Sequence, residues 1–87
     1  MSKDKGSDAQ PSVSIRLFGE LVRFSGGRGY EFTWPLRPGA TVAELLAAIG
    51  IPAAQVWMVA INGAKTTDDA RPRPGDEIMV FSPVGGG

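Results

Sequence analysis

The 87-residue chain contains no cysteine and no histidine. Their absence removes disulfides, Cys/His zinc sites, Cys-His pairs and Ser-His-Asp triads together, so chemistry within the chain is left to carboxylates, lysine or a terminus. Charge of one sign is missing as well: nine basic and nine acidic side chains cancel, and neither forms a long block. A nucleic-acid or anionic-membrane surface would need a basic face, and none is expected. No stretch approaches the roughly 18 apolar residues of a membrane span, and Met1-Ser2-Lys3-Asp4-Lys5-Gly6-Ser7-Asp8 has no apolar leader, so a cytoplasmic protein is expected.

What remains is one small domain. Residues 1–12 are polar and end in Gln10-Pro11-Ser12, the composition of a disordered extension. With that extension and the terminal glycines set aside, about 70 residues remain for a domain over 13–82, enough for one core but not for a deep self-sufficient catalytic cleft. Residues 83–87 are expected to form a flexible tail.

Val13, Ile15 and Leu17 alternate with Ser14, Arg16 and Phe18, the period-two pattern of a half-buried strand. Residues 19–29 form a long connection, with Leu21 and Val22 as apolar anchors and Gly26-Gly27-Arg28-Gly29 as a turn. Tyr30, Phe32 and Trp34 alternate in a second strand that Pro35 ends or places at an edge. Thr41-Val42-Ala43-Glu44 fits a capping box, Val42, Leu45, Leu46 and Ile49 form one helical stripe, and Gly50 supplies the stop. Residues 55–61 read as a central strand closed by Asn62-Gly63, and residues 64–70 as a short edge strand or turn. Glu77 to Phe81 is the last strand, after the turn Pro74-Gly75-Asp76. The predicted class is α+β, a mixed four- to five-stranded sheet with one main helix. With the first and last strands parallel at its centre, this is the β-grasp (ubiquitin-like) arrangement.

The last strand runs into Ser82-Pro83-Val84-Gly85-Gly86-Gly87. Glycine has no Cβ, so Gly85 and Gly86 can thread a slot too narrow for side chains, and Gly87 presents a free carboxylate. Pro83 lacks an N–H and should stop the strand, with Val84 leading into the glycines. Strand alternation sends Phe18, Met79 and Phe81 to the sheet face opposite the helix, with Trp57 or Met58 joining them. Either that patch is a docking surface or the 19–29 connection covers it. The glycine-rich turn lacks the Lys-Ser/Thr of a phosphate loop and does not lead into a helix. Asp68-Asp69 and Asp76-Glu77 read as solvated acids in turns, and Lys65 as a surface charge.

Several segments in order carry a family resemblance. These are Ile15-Arg16-Leu17-Phe18-Gly19 with Leu21-Val22-Arg23; Gly39-Ala40-Thr41-Val42-Ala43-Glu44-Leu45-Leu46; Ile61-Asn62-Gly63; Pro74-Gly75-Asp76-Glu77-Ile78; and the tail from Phe81 to Gly87. Together they resemble the MoaD/ThiS sulfur-carrier family from residue 13 to the end. The resemblance implies a carrier rather than an enzyme, at most the small subunit of the sulfurtransferase molybdopterin synthase. It binds no cofactor. Its C-terminal glycine, here Gly87, is adenylated by an E1-like enzyme using MgATP and then takes sulfur from a donor as a thiocarboxylate. The long first connection resembles MoaD, which implies delivery to the large subunit of molybdopterin synthase for molybdenum or tungsten cofactor. The short segment 50–55 and the third terminal glycine keep thiamin thiazole synthesis open. A ubiquitin-like modifier joined through Gly87 to lysines, and a β-grasp interaction module without C-terminal chemistry, are the other readings.

Overall fold

The computed structural model of the protein describes residues 10–83. Residues 1–9 of the expected extension and the tail residues Val84, Gly85, Gly86 and Gly87 lie outside the described residues.

Alternation of Val13, Ile15 and Leu17 produces strand β1, Ser12–Leu17, with these three side chains buried. The strand starts one residue inside the expected extension, because Ser12 pairs with Pro35 and the Pro11 carbonyl accepts the Leu36 N–H at 2.9 Å. Strand β2, Glu31–Pro35, runs antiparallel to β1 and carries Phe32 and Trp34 on the core side. Tyr30 precedes the strand and is exposed, so only two of the three aromatics reach the core. Pro35 is tolerated because β2 is an edge strand with no further ladder to donate to.

The one α-helix among the described residues, α1 (Val42–Ile49), begins at the expected capping box. Glu44 N–H donates to Thr41 Oγ1 at 3.2 Å, and Thr41 N–H donates to Glu44 Oε1 at 2.9 Å. Two further first-turn amides are satisfied from outside the helix: Val42 N–H by the Ala70 carbonyl and Ala43 N–H by that of Asp68, both at 2.9 Å. Gly50 closes the helix at φ +104°, a left-handed conformation that a β-carbon would penalise. Val42, Leu45, Leu46 and Ile49 are the buried stripe. Replacing Thr41 by Ala removes one half of the box; the expected loss is about 1 kcal/mol, read as a lower midpoint in urea with an unchanged slope.

Strands β3 (Met58–Ile61) and β4 (Ala64–Thr66) form a hairpin around Asn62-Gly63, and β5 (Glu77–Phe81) completes a five-stranded sheet ordered β2-β1-β5-β3-β4. Strand β5 is parallel to β1 and antiparallel to β3. The register sets Ile78 between Ile15 and Ile61, and Val80 between Leu17 and Val59, so the middle of the core is built on the middle strand.

Two local departures from the sequence reading have the same cause. The expected strand over 55–61 is ordered as a ladder only from Met58. Pro52 and Ala53 carbonyls take the amides of Gln55 (2.9 Å) and Val56 (3.1 Å), winding Ala53–Gln55 into a 3-10 turn first. The connection after β1 likewise contains a 3-10 helix, Gly19–Phe24. Its anchors are Leu21, fully buried, and Phe24, packed on the core; Val22 is exposed.

Asn62 and Asp76 tie the β3–β4 turn to the start of β5. Asn62 Nδ2 donates to Asp76 Oδ1 (3.0 Å), and the Arg73 amide donates to Asp76 Oδ2 (2.8 Å). These bonds, the Arg73 amide first, hold the Asp76 carboxyl below its ordinary value. A depressed carboxyl contributes stability that is complete above the unfolded value and lost as pH falls through the folded one. We expect Asp76→Asn to lower stability at neutral pH by about 1 kcal/mol. It should also flatten the decline in melting temperature on going from about pH 5 to about pH 2.

Candidate functional site

The last described element before the C-terminal residues is β5, the middle strand. The end of that strand is held on both sides: Phe18 N–H donates to the Val80 carbonyl at 2.9 Å, and Trp57 N–H donates to the Phe81 carbonyl at 2.7 Å. The Phe18 and Phe81 rings stack at 4.5 Å with an 11° interplanar angle, joining the same two strand ends through their side chains. Pro83, exposed and without an N–H, follows after Ser82. The end of β5 is thus hydrogen-bonded from both neighbouring sides just before the last described residues.

The sheet face opposite α1 carries the side chains expected there. Ladder partners share a face, so Met79 lies beside Arg16 and Ala60, and Phe81 beside Met58. Phe18, Met58, Met79 and Phe81 are each half-buried. The 19–29 connection places Leu21 in the core and Phe24, partly buried, against it. Of its two cations, Arg23 lies over Phe24 and pairs with Glu20, and Arg28 lies over the core-side rings of Phe32 and Trp34, at 5.9 and 5.1 Å. Of the two residues proposed to join the patch, Met58 does so by register. Trp57 is exposed and opens on a groove beside α1, lined also by Leu46, Ile51, Val56 and Met58.

Around the patch, Arg16 pairs with Glu31 at 3.0 Å and approaches Glu77 at 3.7 Å. The hydrogen bond and charge of Glu31 raise the Arg16 guanidinium further above its ordinary value, so the cation is permanent. Glu77 and Asp76 are therefore engaged with neighbours in the fold, not arranged as a carboxylate pair for acid-base work. Among the described residues no group of acidic side chains is placed to hold a metal ion, and no helix is long and apolar enough to cross a membrane. The glycine-rich turn folds on itself: Arg28 Nη1 donates to the Ser25 carbonyl and Gly29 N–H to Ser25 Oγ.

Two features of this site have no counterpart in the sequence reading. The Trp57 amide clamp depends on where β3 begins, which alternation does not reveal. The other is Gly19, at φ +66°, packed against the Ser82 side chain. Its only sequence signal is a glycine immediately after a strand.

The model of the ThiS family matches residues 15–87. The chain belongs to the ThiS family. No curated protein matches it. Solved structures share its architecture. SAMP1 from Haloferax volcanii is 24% identical, with a TM-score of 0.65 over 87% of this chain and 99% of that one. A candidate molybdopterin converting factor subunit 1 from Pyrococcus furiosus is 23% identical, with a TM-score of 0.66 over 85% and 99%. These likenesses establish the β-grasp fold of this ThiS-family chain, and the expected mixed sheet with one main helix stands.

Proposed function

We propose that this ThiS-family chain is a sulfur carrier whose Gly87 carboxylate is the reacting group. In this reading an E1-like enzyme binds the chain in the cytoplasm and supplies MgATP. A Gly87 carboxylate oxygen attacks the α-phosphorus, the bond to pyrophosphate breaks, and an acyl adenylate forms. Adenylation is needed because a free carboxylate has no adequate leaving group. A sulfide-level nucleophile from the sulfur donor then attacks the carbonyl carbon, AMP departs, and the thiocarboxylate remains. The chain itself contributes a fixed strand end, a slender tether through Pro83, Val84, Gly85 and Gly86, and a docking face.

The observation that carries the reading is the support of β5 on both sides at Val80 and Phe81, directly before the exit at Pro83. A long flexible arm would lose more freedom on entering an active site than a short one on a rigid base. Phe18, Met79 and Phe81, with Met58 beside them, are the proposed contact for the activating enzyme and for the sulfur acceptor. For that acceptor we favour the large subunit of molybdopterin synthase. The long β1–β2 connection and its 3-10 helix support this choice over thiazole synthesis.

ATP–pyrophosphate exchange with an E1-like enzyme tests the reading: exchange dependent on this chain is expected, and none with competent enzymes contradicts it. In the same assay Met79→Glu should raise KM at least about tenfold, as expected when a charge enters the apolar centre of a contact. A second reading has one specific support, the likeness to SAMP1, whose name describes a modifier protein. In that case the activated Gly87 is passed to lysine amines, and isopeptide-linked conjugates are the distinguishing product.

A further inference from the structure

Strand β2 forms one edge of the sheet, and its outward backbone groups have no ladder partner among the described residues. Its inward groups are fixed by bonds at both ends: Leu17 N–H donates to the Tyr30 carbonyl at 2.8 Å, and Leu36 N–H to that of Pro11 at 2.9 Å. Alternation between these bonds turns the backbone groups of Phe32 and Trp34 toward β1, so those of Glu31 and Thr33 point away from the sheet. Both residues are exposed. Beside this edge, on the helix side, lies a groove of about 620 Å³ lined by Trp34, Leu36, Leu45 and Ala48. Its charges are unequal. Arg37 lines it, and the Arg28 guanidinium lies over the Trp34 ring at 5.1 Å; neither meets a carboxylate among the described residues. The carboxylate in the lining, Glu44, accepts the Thr41 amide at the start of α1.

We propose that this edge and groove bind an extended segment of a partner protein, one with apolar side chains at alternate positions and carboxylates flanking them. The segment pairs with Glu31 and Thr33 as an added strand, lays its apolar side chains against Trp34 and Ala48, and sets its carboxylates beside Arg28 and Arg37. Main-chain bonds supply affinity in this mode, and the groove with its two cations supplies selectivity. Two other occupants fit less well. A second copy paired antiparallel about Thr33 sets Arg37 opposite residue 29 of the copy, next to that copy's Arg28, and Pro35 has no N–H to give the new ladder. Residues 1–9 of this chain offer only Met1 and Ala9 as apolar side chains and so lack the alternating pattern. The inference is independent of the carrier reading, because β1 separates this edge from β5 and the groove lies on the helix side, opposite Met79.

The test titrates the full isotope-labelled chain with the end-blocked peptide Glu-Asp-Val-Thr-Val-Thr-Val-Asp-Glu and follows it by NMR. Saturable shifts are expected at the Glu31 and Thr33 amides and the Trp34 indole, with hydrogen exchange of the two amides slowed at least about tenfold. Replacing the acids of the peptide by lysine should weaken binding at least about tenfold, as should Arg28→Glu combined with Arg37→Glu in the protein. The lysine peptide should then bind that double variant better than it binds wild type, which separates charge matching from misfolding. N-methylated peptides test the added strand. In antiparallel addition the threonine amides face β2, and in parallel addition the valine amides do. Methylation of one set should therefore weaken binding at least about tenfold and methylation of the other at most about twofold. Absence of saturable binding, equal effects of the two methylations, or undiminished binding of the lysine peptide overturns the proposal. Slow exchange of Glu31 and Thr33 in the free chain also overturns it: if sedimentation shows a dimer, the occupant is a second copy, and if a monomer, a segment of this chain.

Discussion

Removal of Gly87 is expected to abolish activation while leaving the melting temperature of the domain within about 1 °C of wild type. The core is closed by Val13, Ile15, Leu17, Val42, Ile78 and Val80, each at most 2% exposed, and the last ladder residue is Phe81. Shortening the chain by one glycine moves the carboxylate back by about 3.5 Å, the span of one extended residue. In-line attack on a phosphorus tolerates far less displacement, so a loss of at least about a hundredfold in exchange rate is expected. Extension by a single alanine should be as damaging, because it moves the carboxylate forward and adds a β-carbon within the narrow segment. A large fall in melting temperature for either variant would contradict the division between a folding unit and a reacting end.

Ile78→Ala is expected to be the most destabilising simple truncation in the sheet. Ile78 is fully buried on the middle strand, level with Ile15 on one side and Ile61 on the other. Deleting its buried carbons removes transfer free energy and leaves a cavity that two ladders prevent from collapsing, a cost of about 3–4 kcal/mol. A domain of this size has a total stability of only about 5–10 kcal/mol. The melting temperature should therefore fall by about 15 °C or more. Met79→Ala, one residue further along the same strand but on the opposite face, should cost about 1 kcal/mol because its side chain is only half-buried. Equal losses at the two positions would show that the core lies on both faces of the sheet, contrary to the register.

Much of this fold is legible in local chemistry. Alternation places Val13, Ile15 and Leu17, and the Thr41–Glu44 box marks the first turn of α1; both follow from rules that act over a few residues. The central parallel pair also follows, because one helix can cover only one face and the outer strands must find partners. The 3-10 segments are different. At Ala53–Gln55 and Gly19–Phe24, amides that alternation would assign to a strand or an open loop are captured by carbonyls three residues back. Apolar composition does not distinguish these outcomes, which is why Val22 reads as an anchor when Leu21 and Phe24 do the anchoring. The half-buried apolar cluster of Phe18, Met79 and Phe81 on the sheet face opposite α1 is legible because it needs only strand parity. The matching of Gly19 to Ser82 is not, since it joins residues from opposite ends of the domain and exists only once β1 and β5 are parallel neighbours.

The same division runs through the site. The proposed reacting end is read from its residue types, Pro83 through Gly87, whereas β5, which precedes it, is placed by the sheet. The family match over residues 15–87 joins the two parts in one unit. Its consequence is that strand register and tail chemistry should be separable by mutation, with Ile78 affecting only folding and Gly87 only activation.

The most direct measurement is the mass of the intact chain after incubation with an E1-like enzyme, MgATP and a sulfur donor, with the C-terminal fragment then sequenced by mass. The expected result is a gain equal to one oxygen replaced by sulfur, confined to Gly87, absent without ATP and absent in the chain lacking Gly87. An unchanged mass with enzymes shown to be active on another carrier, or a sulfur located at any other residue, would contradict the carrier function.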